Sequence, residues 1–445
     1  MKTYKFKIYW AATMLMAGVS SCSVLETTEV IDPNSPSLAS VQNNASKAQL
    51  DALAVGQVAR ARDGLATYLQ VIGTLGKELF NFNTTESRWM TELNGLRPID
   101  NSAFYNGATT AFGAPVRQAN ALIASLDKTT SVTEQQKNAY RGLANTFKGL
   151  AYLYQLNVQY NNGVRLNVED PLKPSKFATY TESLAGIKKF LDDGATQLDA
   201  AGTAFPFVLP ASYAGFNTPA TFKKFNRAIA LRVAIYQKDW AGAAALLPQT
   251  FLDANADFNL GPKHAFNATS PDIGNPLLNT SSVRVVAPEK LVTDAEAGDK
   301  RVASKVRLLA SPAEYSSGVT YTTKYIFNMY TALDQSVAII RNEELILIAA
   351  EIAAQQNRSS DAVAYLNIIR AGAGLGAYKG GTSQADLINA VLHERLYSLW
   401  YEGHRLVDMR RYGKIAEIYL PVAGMKVLEQ LERPVAEVNW DKANP

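Results

Sequence analysis

Nine ionisable side chains crowd the last third of the chain: Arg341, Glu344, Glu351, Glu394, Arg395, Glu402, Arg405, Asp408 and Arg411. Two carboxylates about 5–9 Å apart suffice for glycoside hydrolysis. With 40 acidic residues, however, some such pair arises by chance, and no motif singles one out. The spacing suits ion pairing better. Glu402 and Arg405, and then Arg405 and Asp408, are three residues apart, one turn of a helix or helix end. Buried arginine favours bidentate carboxylate partners. These charges are therefore predicted to hold packing geometry, not to catalyse. No Gly-x-Ser-x-Gly elbow is present for an esterase. Gly372-x-Gly374-x-Gly376 is followed by Ala377 and comes after a helical pattern, so it is a loop, not a dinucleotide fingerprint.

Metal chemistry has little material. There is one cysteine, which excludes an internal disulfide, a Cys-based zinc site and a Cys-x-x-Cys pair. His393 and His404 would stand about 16 Å apart on one continuous helix, too far to share an ion. Asp253-x-Asn255-x-Asp257-x-Asn259 begins like a calcium loop, but Phe258 stands where glycine is needed and His264 where a bidentate Glu is needed. An Asx-rich turn is the better reading, and no cofactor is expected.

The elements that must position these residues belong to a 445-residue chain, 47% hydrophobic and 19% charged, the composition of a globular protein. Its net charge of +4 provides no basic patch for nucleic acid. Residues 1–21 have the order of a secretory leader: Lys2, Lys5 and Lys7, an apolar run from Ile8 to Val19, then Ser20-Ser21 before Cys22. The apolar run is too short to span a bilayer. Small residues directly before the lone cysteine resemble a bacterial lipobox, which predicts a lipidated Cys22. Loss of the leader removes three lysines and no acid, leaving a net charge of +1. No later segment is long and uncharged enough to cross a membrane, since the apolar run 339–354 contains Arg341, Glu343, Glu344 and Glu351.

Residues 22–46 form the lipidated start and a polar tether. A single domain, 47–445, is expected beyond it, with a helical scaffold over about 48–250 and 339–410 and an irregular insert over about 255–335. Leu50, Leu53, Val58, Ala61, Leu65, Leu69, Ile72 and Leu75 follow helical spacing. Residues 81–107 break it as a long loop, a kind of segment often used for function. Helices are predicted at about 115–126, 134–160 with Thr133 as N-cap, 181–198, 219–238, 339–356, 360–370 and 383–400, and a shorter one capped by Asp239. Short strands are predicted at Val283–Val286 and Tyr321–Phe327.

Two stretches are specific. Arg341-Asn342-Glu343-Glu344-Leu345-Ile346-Leu347-Ile348-Ala349-Ala350-Glu351 leads through Leu366-Asn367-Ile368-Ile369-Arg370 to a Gly374-Leu375 turn. His393-Glu394-Arg395 then leads to Glu402-Gly403-His404-Arg405-Leu406-Val407-Asp408-Met409-Arg410-Arg411. Together they resemble the C-terminal signature of the SusD/RagB family. Tyr140-Arg141-Gly142-Leu143, Lys148 to Tyr152 and Ala228 to Tyr236 agree in order with the family's earlier helix pairs. The resemblance implies an all-α fold of tetratricopeptide-like helix pairs, here with degenerate repeats, and a variable irregular region against it. It further implies a surface lipoprotein of the outer membrane that captures nutrients, usually glycans, as the lid of a SusC-like TonB-dependent transporter.

The expected ligand is thus an oligosaccharide, with a peptide as the alternative. A lipid-anchored hydrolase and a structural envelope lipoprotein are the competing functions. A sugar ring needs an aromatic face with amides or guanidinium beside it. Phe82, Arg88, Trp89 and Tyr105 in the first loop, with Tyr321 and Tyr325 in the insert, carry those types and are the candidate ligand contacts; Tyr315 and Tyr330 accompany them. Arg341, Glu344, Glu351, Arg370, Glu394, Arg395, Glu402, Gly403, Arg405, Asp408 and Arg411 are the structural signature, with Gly403 as a left-handed helix cap.

Overall fold

A computed structural model describes residues 43–444 apart from 171, 271 and 281–284. The leader, Cys22 and most of the tether lie outside the described residues, as do Val283 and Arg284 of the first expected strand. The end of the tether is already docked: Ala45 is buried, its carbonyl accepts from Thr129 Oγ1 at 2.5 Å, and Asn44 Oδ1 accepts from Thr130 N–H at 3.0 Å.

The first half is helical: α1 (Lys47–Arg60), α2 (Leu65–Leu75), α3 (Gly107–Thr110), α4 (Gly113–Lys128), α5 (Glu134–Gln159), α6 (Tyr180–Asp199), α7 (Pro219–Tyr236) and α8 (Trp240–Leu246). Helix starts follow local chemistry. Ser46, Thr133, Thr179 and Thr218 each close a reciprocal capping box with the residue three further on, and Pro219 opens α7. Asp239 caps α8 by accepting from Gly242 N–H. The apolar run Leu50 to Leu75 is two helices, not one, because the chain turns at 61–64. Helices α5, α6 and α7 pack in sequence, tied at their centre by Asn226 Nδ2 donating to Thr146 Oγ1 at 2.8 Å.

The insert is more ordered than its composition predicts. It holds β2 (Lys263–His264), β3 (Val285–Val286), α9 (Glu289–Thr293), α10 (Lys300–Lys305), β4 (Val306–Tyr315), β5 (Tyr321–Phe327) and β6 (Val337–Ala338). With β1 (Phe80–Asn81) from the first loop, an antiparallel sheet forms in the order β1-β3-β5-β4, and β2 pairs with β6. The ten-residue β4 is a correction to the expectation of short strands only. Its sequence hides it: the alternation breaks at a register shift between Leu308 and Ala313, and Pro312 is tolerated because β4 is an edge strand.

Helices return as α11 (Asn342–Gln355), α12 (Ser359–Gly372), α13 (Gln384–Ser398), α14 (Arg405–Arg411) and α15 (Val435–Ala443). α11 is buried almost all round and packs against α12 and α13 as helix pairs. No described helix is long and apolar enough to cross a membrane. One large core of buried apolar side chains runs from α1 through α7 and takes in Trp400 and Tyr401.

Candidate functional site

The signature charges meet where α11, α13 and the insert converge. Arg341 precedes α11 in an extended conformation, which throws its side chain back across the helix start. It donates to Glu402 at 2.8 and 3.1 Å and to the Ser398 carbonyl at 2.5 Å, and it also pairs with Glu343. Lys305, at the end of α10, donates to the Ser398 and Trp400 carbonyls at 2.7 and 3.1 Å and lies 3.3 Å from Glu402. Two cations thus satisfy carbonyls that the end of α13 leaves open. Burial alone would raise the Glu402 pKa, but Arg341 and Lys305 outweigh it and hold it at about 2.

A second group lies behind. Glu344 pairs with Arg232 of α7 at 2.6 and 2.7 Å. Arg411 is bidentate on Glu351, and Tyr412 donates to the same carboxylate at 2.5 Å. Asp408 accepts from Arg395 at 2.7 Å and from Arg411 at 2.9 and 3.0 Å; these charges overcome burial and hold its pKa at about 2. Arg370 pairs with Glu394 at 2.8 Å.

The sequence-neighbour pairs Glu402–Arg405 and Arg405–Asp408 are not the ones formed: Glu402 goes to Arg341 and Lys305, and Asp408 to Arg395 and Arg411. The reason is backbone geometry. α13 stops at Ser398, Tyr401 has φ +66° and Gly403 φ +82°, so Glu402 and Arg405 do not share a helix; Arg405 and Asp408 do share α14, but Arg395 and Arg411 occupy the Asp408 carboxylate. Gly403 is left-handed as expected, but within a tight turn; a Cβ there would meet Tyr68, Leu69 and Ile72 at 3.2–3.3 Å.

Above this floor opens a cleft of about 1040 Å³ between the helical scaffold and the insert. Phe258 and Tyr330 supply rings, Tyr68 and Tyr154 border it while packed on Phe112 and each other, and Asn157, Asn259, Gln335 and Ser304 supply polar groups. Arg341, Glu402, Gly403 and His404 line its floor. Burial lowers the His404 pKa to about 4, so the ring is neutral at pH 7; its Nδ1 is buried with no hydrogen-bond partner among the described residues. Ser212 Oγ, also along the cleft, is likewise buried with no partner among the described residues. The glycine loop shapes one side. The Phe258 ring lies directly over Gly372, and the Lys300 stem crosses Gly374, where a Cβ would come within 2.8 Å of it.

Four of the six candidate ligand residues are buried in the fold elsewhere, and none of the six lines the cleft. Phe82 and Tyr321 are buried with ring centres 5.9 Å apart, joining the first loop to the insert, and Tyr315 lies 5.7 Å from Phe82. Trp89 is buried 4.7 Å from Phe104. Tyr105 is fully buried and donates to Glu92 at 2.6 Å. Half-buried Tyr325 packs on the main core. Arg88 is half-buried, ion-paired to Glu86 at 2.6 Å and placed over the Phe104 ring at 5.5 Å. Thus the expected open aromatic platform does not form there; those rings close a loop-rich layer. Of the residues singled out, Tyr330 does reach the cleft. Phe258 and Asn259 lie in the expected Asx turn, which does form: Asn255 and Asn259 N–H donate to Asp253 and Asp257 Oδ1 at 2.9 Å. Lys263 and Lys300 carried no sequence signal. Among the described residues no group of three metal-ligating side chains stands together.

Residues 303–444 match the SusD family. Curated protein sequences give no match. Solved structures do. A SusD superfamily protein from Bacteroides vulgatus is 15% identical with a TM-score of 0.66, covering 88% of this chain and 97% of its own. Surface glycan-binding protein A from Bacteroides thetaiotaomicron, in complex with laminarihexaose, is 14% identical with a TM-score of 0.65, covering 88% and 98%. A laminarin-binding SusD-like protein is 19% identical with a TM-score of 0.65, covering 89% and 97%. Residues 303–444, which hold the signature charges, thus carry the SusD family match, and the chain shares its fold over most of its length with SusD superfamily structures.

Proposed function

We propose that this protein is a surface-exposed outer-membrane lipoprotein that captures a nutrient oligosaccharide and passes it to a SusC-like TonB-dependent transporter. The observation that carries this reading is the cleft: rings beside amides and hydroxyls, at the junction of scaffold and insert, in a fold shared with a glycan-binding protein that holds laminarihexaose. Rings take the apolar face of a sugar, and amides and hydroxyls take its rim. Binding, not catalysis, is the proposed activity. Arg88 and Tyr325, which keep some exposed surface, are retained as outer contacts for a longer chain; Phe82, Trp89, Tyr105 and Tyr321 are assigned to packing.

The proposed mature protein starts at a lipidated Cys22, after removal of residues 1–21. A binding body cannot itself move a nutrient across a bilayer, which is why a transporter partner is included. Glycan-array binding by the lipid-free mature chain tests capture, and Tyr330→Ala or Phe258→Ala is expected to weaken it; a chain that binds no glycan sinks the reading. Cys22→Ser is expected to abolish partitioning into detergent and to leave unprocessed precursor. Purification from solubilised outer membranes tests the partner, and recovery of the lipoprotein alone beside a folded transporter counts against it.

A further inference from the structure

The walls of the cleft are unequal in charge. Six cations line it (Arg232, Lys263, Lys300, Arg301, Lys305 and Arg341), against two acids, Glu343 and Glu402. Four of the six are committed. Arg232 is held by Glu344, Arg301 by Asp299 and Glu394, and Arg341 and Lys305 by Glu402. Lys263 and Lys300 are in a different position: neither has an ion-pair partner among the described residues. Both are fixed at the backbone. Lys263 is paired with Ala338 in the β2–β6 ribbon, and Lys300 N–H donates to the Ala373 carbonyl at 3.0 Å while its stem lies across the Gly374 turn. Gly374 has φ +79°, and any side chain there would displace that stem.

The floor is different. His404 is almost fully buried there, its Nε2 3.7 Å from a Glu344 oxygen and its Nδ1 closed off from solvent. The cleft thus offers uncommitted ammonium groups on its walls above a floor whose own charges are paired.

We infer that the cleft selects oligosaccharides carrying anionic groups, uronate carboxylates or sulfate esters, with Lys263 and Lys300 receiving the charge. This rests on the capture reading above and adds a ligand class to it. Lysine is a mobile point charge that accepts either anion, so the carboxylate and sulfate sources are separated by the test.

Calorimetric titration of the mature chain with two matched pairs decides the matter: hexagalacturonate against its methyl ester, and sulfated laminarihexaose against laminarihexaose. The charged member of at least one pair is expected to bind about tenfold tighter at low salt, with the gap closing in 0.5 M salt. The pair that shows the gap identifies the anion. Lys263→Gln with Lys300→Gln should erase the gap at an unchanged melting temperature, whereas Lys128→Gln, away from the cleft, should not. Equal or tighter binding of the neutral member in both pairs overturns charge selection and leaves capture standing. So does a gap that survives the double variant. Failure of all four oligosaccharides to bind also overturns it, and glycan-array binding then decides separately whether capture itself survives.

Discussion

Arg341 and Glu402, 61 residues apart in the chain, meet at 2.8 Å on the floor of the cleft. The contact joins the start of α11 to the turn after α13, and Lys305 brings the insert to the same carboxylate. One ion cluster therefore sets the relation of scaffold, turn and insert, and with it the shape of the cleft.

Removing the carboxylate should be expensive. Glu402→Ala leaves Arg341 and Lys305 close together without their shared counter-charge and is expected to lower stability by roughly 3–5 kcal/mol in urea unfolding. An unchanged unfolding midpoint with weakened glycan binding would instead assign Glu402 to the ligand.

Acid should loosen the same region. Asp408 is held at about 2, below its ordinary value of 3.8, and Glu402 at about 2, below 4.5. A carboxylate depressed in the folded state contributes stability that is complete above its unfolded pKa and is lost as pH falls through the folded one. The Asp408 share is about 2 kcal/mol and should fade between about pH 4 and pH 2. Asp408→Asn is expected to be less stable at pH 7 and to show a flatter unfolding midpoint over that window; an equally steep acid limb places the titration elsewhere.

Glu78 behaves in the opposite sense. It is almost wholly buried, its Oε1 has no hydrogen-bond partner, and burial raises its pKa from 4.5 to about 8 despite the nearby charges of Arg405 and Lys305. The folded chain keeps this proton while the unfolded chain releases it, so stability is lost as pH rises from about 4.5 to about 8. Glu78→Gln, which cannot ionise, should be more stable than the parent at pH 8 and close to it at pH 4. Parallel pH profiles for the two proteins would show that Glu78 is already charged when folded.

Trp89 now has a structural assignment. It is packed on Phe104, whose ring also lies under the half-buried Arg88 guanidinium. Trp89→Ala is expected to cost about 3–5 kcal/mol, as truncation of a buried ring does, and Trp89→Phe much less. Lost glycan affinity in Trp89→Phe at full stability would return the ring to the ligand site.

How much was legible from residue order follows the range of the interaction concerned. Helices with capping boxes, such as the one opened by Thr133 and Gln136, were readable because a cap and a periodic apolar face are local. The spacing of the signature charges predicts ion pairing, and eight of the nine have an ion-pair partner, Arg405 being the exception among the described residues. Which partners they take was not readable. Glu402 chooses Arg341 over Arg405 because the chain turns through Tyr401 and Gly403, and a three-residue spacing has meaning only on a continuous helix. The ten-residue β4 escaped because its pairing with β5 and its register shift come from another segment. The aromatic residues of the first loop had the right types for a sugar platform, but burial is a property of what covers a ring. Phe82 meets Tyr321, and Trp89 meets Phe104, so those faces are taken. Sequence determined the helix pairs, the ionic signature and the family resemblance, because these are written in local spacing. Tertiary structure alone decided the cleft, where Phe258, Lys263, Lys300 and His404 converge from segments that share no pattern.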